Sequence, residues 1–160
     1  MRWWQTELEH TTESLQRAKR QRARLRDQVN ALSDALAAAL SDGYWAAQPT
    51  TGVRGLLKRG DTEVDLVREV EASPLFDGGW YLREYPKTVR SGLSPALHYV
   101  RHGNERSLDP GPRFDTSNYL TRHPDAAAAR VPALVHAGRN GHLDEPHDDP
   151  AVSPADGVHL

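Results

Sequence analysis

Apolar residues recur at alternating steps of three and four along residues 4–40, and no proline or glycine interrupts this stretch. Such spacing places the apolar side chains on one stripe of an α-helix, at the a and d positions of a heptad repeat. The pattern predicts a long N-terminal helix, residues 1–42, that forms a coiled coil. The side chains that define its seam are Leu8, Leu15, Arg22, Leu25, Val29, Leu32 and Leu36.

A single helix with one narrow apolar stripe gains little from burial unless a second helix covers that stripe. The seam therefore predicts self-association. Two positions along the stripe are clearly polar, Thr11 and Arg22, and a charged residue at an a position weakens a coiled coil while favouring one register. The flanking e and g positions provide no attractive charge ladder, so the number of strands and their orientation stay open at this stage.

Glycine and proline punctuate residues 43–61, which predicts a linker. Apolar residues at helical spacing over residues 62–72 then predict a short amphipathic helix at the start of a domain that spans residues 62–143. Residues 144–160 are rich in aspartate and proline and contain few large apolar side chains. That composition predicts a disordered acidic tail.

One phrase occurs twice in the predicted domain: FDGGWYLREYP begins at residue 76, and FDTSNYLTRHP begins 38 residues later, at residue 114. The register holds beyond these phrases without a gap, which predicts two stacked helical units of about residues 76–113 and 114–143. The repeated positions are Phe76, Asp77, Tyr81, Leu82, Pro86, His98 and Gly103 in the first copy, and Phe114, Asp115, Tyr119, Leu120, Pro124, His136 and Gly141 in the second.

Each repeated position has a structural interpretation. An aspartate directly before a short helix can cap it, a proline can end it, and a glycine can stop the last helix of the unit. We expect two or three short helices per unit, with Tyr81, Leu82 and Val89 among the side chains that face inward. The predicted fold is all-α: a long N-terminal coiled-coil helix, a small domain of two helical repeats, and the tail.

The stretch LFDGGWYLREYPKTVRSGLSPALHYVRHG, residues 75–103, resembles the tandem F-D-x-x-Y-L-x-x-N-P-D-V…G-x-x-P-x-x-H-Y-x-x-x-G repeat that accompanies many bacterial glycosyltransferases of cell-surface polysaccharide assembly. Residues 75–143 are covered. Departures from the pattern include Tyr85 and Lys87 in the first copy and Ala137 in the second. The resemblance implies association with sugar-transferring machinery, with glycosyltransferase-related proteins as partners, and it does not extend to a transferase domain.

The composition of the chain excludes several classes of functional site. The 160 residues carry a net charge of −2, only 38% are hydrophobic, and there is no cysteine, which excludes disulfides and thiolate zinc sites. The sequence offers no catalytic signature and no cofactor motif, and no apolar run is long enough for a transmembrane segment. We expect a non-catalytic interaction or scaffolding module in the cytoplasm, without a cofactor.

Three features favour other functions. His98 and His102 have the i, i+4 spacing of a metal pair, but the second copy has Asn140 in place of the second histidine, so we predict a structural histidine and no metal site.

The basic run at residues 17–26 would suit a nucleic-acid-associated regulator; the intact heptad favours a solvated face of the coil instead. Trp80, replaced by Asn118 in the second copy, would suit a carbohydrate-binding module. Trp80 and His102 are the candidate contact residues.

Overall fold

The computed structural model describes residues 3–48 and 62–144, with side chains from residue 8 onward. In these ranges the chain forms eight α-helices and no strand, apart from an isolated bridge between Gly111 and Phe114. The prediction of an all-α fold with a long N-terminal helix is confirmed. The predicted disordered tail from residue 145 onward, and residues 49–61 of the predicted linker, lie outside the described residues.

The N-terminal helix, α1, spans Trp3–Ala47. It therefore continues through Gly43, at which the sequence predicts the start of the linker. One glycine costs a helix only about 1 kcal/mol relative to alanine, which is too little to end a helix that is otherwise supported. Support comes from Tyr44 and Trp45, which are half-buried and pack edge to face with ring centroids 5.0 Å apart.

The remaining helices show the two copies of the repeat directly. After α2 (Glu63–Ala72), the first copy forms α3 (Gly78–Glu84), α4 (Lys87–Ser91) and α5 (Pro95–His102), and the second forms α6 (Thr116–Arg122), α7 (Pro124–Ala128) and α8 (Ala133–Asn140). Helices of 7, 5 and 8 residues follow one another in both copies. The sequence repeat is therefore a repeat of secondary structure.

Local signals set several helix ends. The Thr62 hydroxyl accepts the N–H of Asp65 at the start of α2, and the Asp115 carboxylate accepts the N–H of Asn118 at the start of α6. Gly92 and Gly141 end α4 and α8 in the left-handed conformation, with φ of 67° and 75°.

The inward orientation expected for Val89 is wrong. Val89 is 40% exposed, and its neighbour Thr88 is buried instead. The helix that contains both, α4, has only five residues, so it buries a single position, and the apolar spacing of the sequence does not fix which one.

The chain divides into two compact units, Met1–Thr51 with Gly78–Pro95, and Gly52–Asp77 with Ala96–Leu160. In the first unit, α3 packs against α1. A side chain at Gly79 would overlap the Asp34 carboxylate and crowd its Cα, so the absence of a side chain at this position is what permits the close approach of the two helices.

In the second unit, Tyr99 of α5 connects the core. The ring is fully buried, and its hydroxyl accepts the N–H of Leu134 at 3.3 Å and lies 3.4 Å from the Thr116 hydroxyl. The core is completed by Val67 and Val70 of α2, both inaccessible to solvent. Helix α2 thus belongs to the packed core of this unit, where it contacts α8.

We expect Gly79→Val to lower the free energy of unfolding by about 1–3 kcal/mol, because the added methyl groups overpack the contact between α1 and α3. Gly43→Val is the matched control, since no atom lies within 4 Å of the position where its Cβ would be and valine and glycine differ by only a few tenths of a kcal/mol in helix propensity. Urea unfolding followed by circular dichroism measures both. Equal effects of the two substitutions would contradict this packing.

Candidate interaction surfaces

The seam of α1 is exposed along its whole described length. Its six large apolar side chains have exposed fractions of 38–71%, and these residues are Leu8, Leu15, Leu25, Val29, Leu32 and Leu36. Isolated exposed apolar residues are common on protein surfaces, whereas a contiguous row of this length is typical of an interaction site. The structure thus leaves the surface that the heptad pattern defines uncovered.

A different face of α1 carries the contact with α3. Ala37 is buried, and Asp34 forms an ion pair with Arg83 of α3 at 3.4 Å. Asp34 and Ala37 occupy f and b positions of the heptad, not a or d. The contact with α3 therefore lies on a different side of the helix from the seam and leaves the seam uncovered.

A shallow groove of about 710 Å³ runs beside the seam in the first unit. Leu25 and Val29 line it together with four cationic side chains: Lys19, Arg22, Arg26 and Arg83. Arg83 pairs with Asp34, whereas the other three make no ion pair within the described part of the chain. We call this the cationic groove. Its amphipathic character fits a helix that brings apolar side chains and carboxylates together.

Two ion pairs of the same geometry join α2 to α5 of the first copy and to α8 of the second; we call them the α2 clasp. Arg101 donates to both oxygens of the Glu63 carboxylate at 2.8 and 2.9 Å, and Arg139 donates to those of Glu69 at 2.9 and 2.6 Å. The hydrogen bond from Arg101 lowers the pKa of Glu63. Each pair is partly exposed and contributes about 0–1 kcal/mol, so the clasp fixes geometry more than stability.

The sequence reveals the arginines of these two ion pairs but not their glutamate partners. Arg101 and Arg139 recur at the 38-residue offset of the repeat. Their partners on α2 lie outside the repeat, so the recurrence of the arginines does not reveal them. Only the packing of α2 into the second unit brings the carboxylates within reach.

A buried tyrosine organises the second copy of the repeat. The Tyr119 hydroxyl lies 2.8 Å from Nδ1 of His136 and 3.1 Å from Nδ1 of His142, and Nε2 of His136 lies 3.2 Å from the Asp125 carboxylate. In the tautomer of His136 that carries its hydrogen on Nε2, the Asp125 carboxylate accepts this N–H and Nδ1 accepts the hydrogen of the Tyr119 hydroxyl. His136 is thus held in a hydrogen-bonded network.

The other repeated positions divide by exposure. The residues buried in the structure are Tyr81, Leu82, His98, Gly103 and Phe114, those of intermediate exposure are Phe76, Asp115 and Leu120, and the exposed ones are Asp77, Pro86, Pro124 and Gly141. The repeat therefore consists of core side chains together with surface residues at the ends of helices.

His98 and His102 lie close together in α5, with ring centroids 4.8 Å apart. Among the described residues, no group of three or more histidine, cysteine, aspartate or glutamate side chains is arranged to hold a metal ion. Burial, and then the positive charges of His102 and Arg106, lower the pKa of His98. The surroundings of His98 therefore favour the neutral imidazole.

The lowered pKa of His98 makes folding sensitive to acid. Below about pH 6.5 the unfolded chain binds a proton at this histidine before the folded chain does, so stability falls with pH from that point down to the folded-state pKa. We expect His98→Gln to reduce the loss of stability between pH 7.5 and pH 5, measured by urea unfolding at each pH. His10→Gln, at an exposed position of α1, should leave the loss unchanged. An unaltered slope in His98→Gln would contradict this assignment.

Trp80 lies within an aromatic group in the first unit. It is half-buried and meets Tyr85 edge to face, with centroids 6.2 Å apart, and Tyr85 in turn contacts Tyr81 at 4.8 Å. Its counterpart Asn118 accepts a hydrogen bond from Arg122 at 2.9 Å. The two copies therefore use this position differently, one for aromatic packing and one for a polar contact.

Comparison with protein-family models, curated proteins and solved structures finds no match for this chain. Among the described residues, none of the helices combines the length and the apolar character that crossing a bilayer requires.

Proposed function

We propose that this chain is a non-catalytic scaffold that self-associates through the seam of α1. The observation that carries the proposal is the continuous exposure of the seam, whose apolar side chains are 38–71% accessible. A heptad stripe of this kind is stabilised when a second helix inserts its own a and d side chains between them.

The energetics support a reversible assembly. Covering a half-exposed leucine or valine contributes about 1 kcal/mol, so six such side chains on each of two copies contribute about 12 kcal/mol. Association costs about 4–15 kcal/mol in lost freedom of motion. With the cost at the low end of this range, the net gain is about 8 kcal/mol, which corresponds to a dissociation constant of about 1 μM, so we expect self-association in the micromolar range.

The architecture suits a scaffold because α1 separates two tasks. Ala37 and Asp34 hold α3 of the repeat on one face, and the seam on the other face remains for the second copy. A pair of chains joined by the seam would thus present two whole repeat domains, one from each chain. A ligand that meets both domains would experience a higher effective concentration of binding sites.

The setting follows from the resemblance of the repeat to the segment that accompanies bacterial glycosyltransferases. In this proposal the scaffold works in the cytoplasm and holds components of cell-surface polysaccharide assembly together. The resemblance, and not a ligand site, supports this part.

The setting is tested by first establishing whether glycosyltransferases are encoded next to the gene of this chain and then measuring their binding to the purified chain. We expect a complex with at least one of them that persists when the seam is disrupted, because the repeat and not the seam makes the contact. If none of these enzymes binds the chain, the proposed setting is wrong.

A further inference from the structure

Three cations of the cationic groove lie where a paired helix would meet them. Arg22 occupies an a position of the seam, and Lys19 and Arg26 occupy the e positions beside it. All three are exposed and make no ion pair within the described part of the chain, whereas Arg83 is paired with Asp34. In a coiled coil the residues at e and g contact the partner helix and determine which partner is accepted.

The carboxylates of α1 lie on the outer side of the helix, away from the seam. Glu9 is at a b position, and Glu13, Asp27 and Asp34 are at f positions. Between residues 8 and 36, none of the a, d, e and g positions holds aspartate or glutamate. The surface that a paired helix would contact is therefore apolar and basic, without an acidic counterpart on the same helix.

A second copy of α1 covers the apolar side chains of the seam but provides no carboxylate for the cations beside it. In a parallel, in-register pair an e position faces the preceding g position of the partner. Lys19 then faces Ser14. In the next heptad Arg26 faces Gln21. In an antiparallel pair e positions face e positions, and no e position of α1 holds aspartate or glutamate. The seam thus matches itself in apolar contacts and not in charge, whichever way the two copies run.

The chemistry of a better-matched partner follows from the same positions. Leu25 and Val29 line the groove together with the cations, so the occupant has to provide apolar side chains as well as negative charge. An amphipathic helix with apolar residues at a and d and with aspartate or glutamate at e and g provides both. Opposite charges across a helix pair favour the mixed pair over pairs of like helices.

Nucleic acid fits the groove less well. A phosphate backbone would neutralise the cations but would leave Leu25 and Val29 uncovered. The other cations of the basic run, Arg17, Arg20 and Arg24, are at c and f positions on the outer side of the helix, where no leucine or valine accompanies them. A polyphosphate would therefore find as many cations there without meeting apolar surface, and the combination in the groove favours a protein helix.

We infer that the cationic groove binds an acidic amphipathic helix of another protein, which displaces the second copy from this stretch of the seam. The inference rests on the proposed function, since it uses the same seam as an interaction surface, and it adds a partner that matches the groove in charge as well as in apolar contacts. The scaffold would then exchange a loosely held copy of itself for this partner.

The partner chemistry is tested with a synthetic peptide and the full chain. The peptide has roughly four heptads, with leucine at a and d and glutamate at every e and g position, so it offers carboxylates to the groove in either orientation. Repulsion between its glutamates opposes pairing of the peptide with itself. Fluorescence anisotropy measures its binding at neutral pH. We expect one peptide per chain, and light scattering should show that excess peptide replaces the second copy.

Two matched double variants locate the binding. Lys19→Gln with Arg26→Gln removes two positive charges from the groove, and we expect it to weaken peptide binding about tenfold at low salt and less at high salt. Arg20→Gln with Arg24→Gln removes the same charge from the outer side of the helix and should stay within about twofold of the native chain. Both variants should self-associate at least as tightly as the native chain, because a second copy provides no carboxylate at these positions.

The inference is overturned if the peptide does not bind, or if the two double variants weaken its binding equally, since general charge attraction then explains the result. Loss of self-association in Lys19→Gln with Arg26→Gln would show that the groove serves the second copy. Tighter binding of a DNA duplex than of the peptide would show a polyphosphate ligand. Tighter peptide binding after Asp148→Asn with Asp149→Asn would show that the acidic tail occupies the groove.

The proposed function is judged separately, from the solution mass of the chain without peptide. A dimer that fails to bind the peptide retains self-association and removes only the inferred partner. A monomer that binds the peptide through Lys19 and Arg26 contradicts self-association and supports the inferred partner.

Discussion

Replacing Leu25 and Val29 together with aspartate is expected to abolish self-association and leave a monomer at micromolar concentration. Both side chains are more than half exposed, at 54% and 52%, so the substitutions disturb no core within the chain. In an assembled seam they would replace apolar contacts with carboxylates, whose burial costs several kcal/mol each and is offset only in part by the Arg22 and Arg26 side chains beside them. Light scattering measures the mass, and circular dichroism should show that most of the helix content of the repeat persists.

The matched control places the same two charges elsewhere on the helix. Ala31 and Ala38 occupy c positions and are exposed, so Ala31→Asp with Ala38→Asp adds the same charge away from the seam and away from α3. This control should associate as the native chain does. If both double variants become monomers, net charge and not the seam controls assembly.

Replacing Asn104 with alanine is expected to destabilise the second unit by about 2–4 kcal/mol. The amide of Asn104 donates to the carbonyl oxygen of Val131 at 2.8 Å and accepts the N–H of Ala133, also at 2.8 Å. Val131 and Ala133 are both buried. Without Asn104, two buried backbone groups at the start of α8 lose their partners, at about 1–3 kcal/mol each.

Two comparison variants make the effect specific. Asn104→Asp retains an acceptor for the N–H of Ala133 and loses only the donor, so we expect a smaller loss of stability than in the alanine variant. Asn140→Ala removes a hydrogen bond from an exposed side chain to the carbonyl oxygen of His136 within a single turn of α8, and should change stability by less than about 1 kcal/mol. Urea unfolding should show the largest loss of stability for Asn104→Ala, a smaller loss for Asn104→Asp and the smallest for Asn140→Ala. Equal losses at residues 104 and 140 would contradict the assignment of Asn104 as the residue that pairs with the backbone of Val131 and Ala133.

The helices could be predicted from the sequence because their signals are local. Heptad spacing, proline positions and the repeat offset identify α1 and the two copies, and helices of matching length follow in each copy. Helix ends were less predictable. Gly43 lies inside α1, since a single glycine is a weak penalty, and Val89 is exposed because a helix as short as α4 does not define a face by apolar spacing.

The candidate surfaces could be predicted only in part. The seam lies on one helix and is visible in the sequence. The cationic groove also needs Arg83, which α3 brings beside α1, and Asn104 reaches residues 131 and 133 across a long stretch of chain. Contacts between residues far apart in sequence depend on packing, and a single sequence contains no direct signal for them.

The most direct test of the central claim is the solution mass of the full chain, measured by light scattering from low to high micromolar concentration at physiological salt. A two-stranded seam predicts a mass that rises with concentration toward twice the chain mass of 17.8 kDa. A mass of one chain throughout this range would contradict self-association through α1.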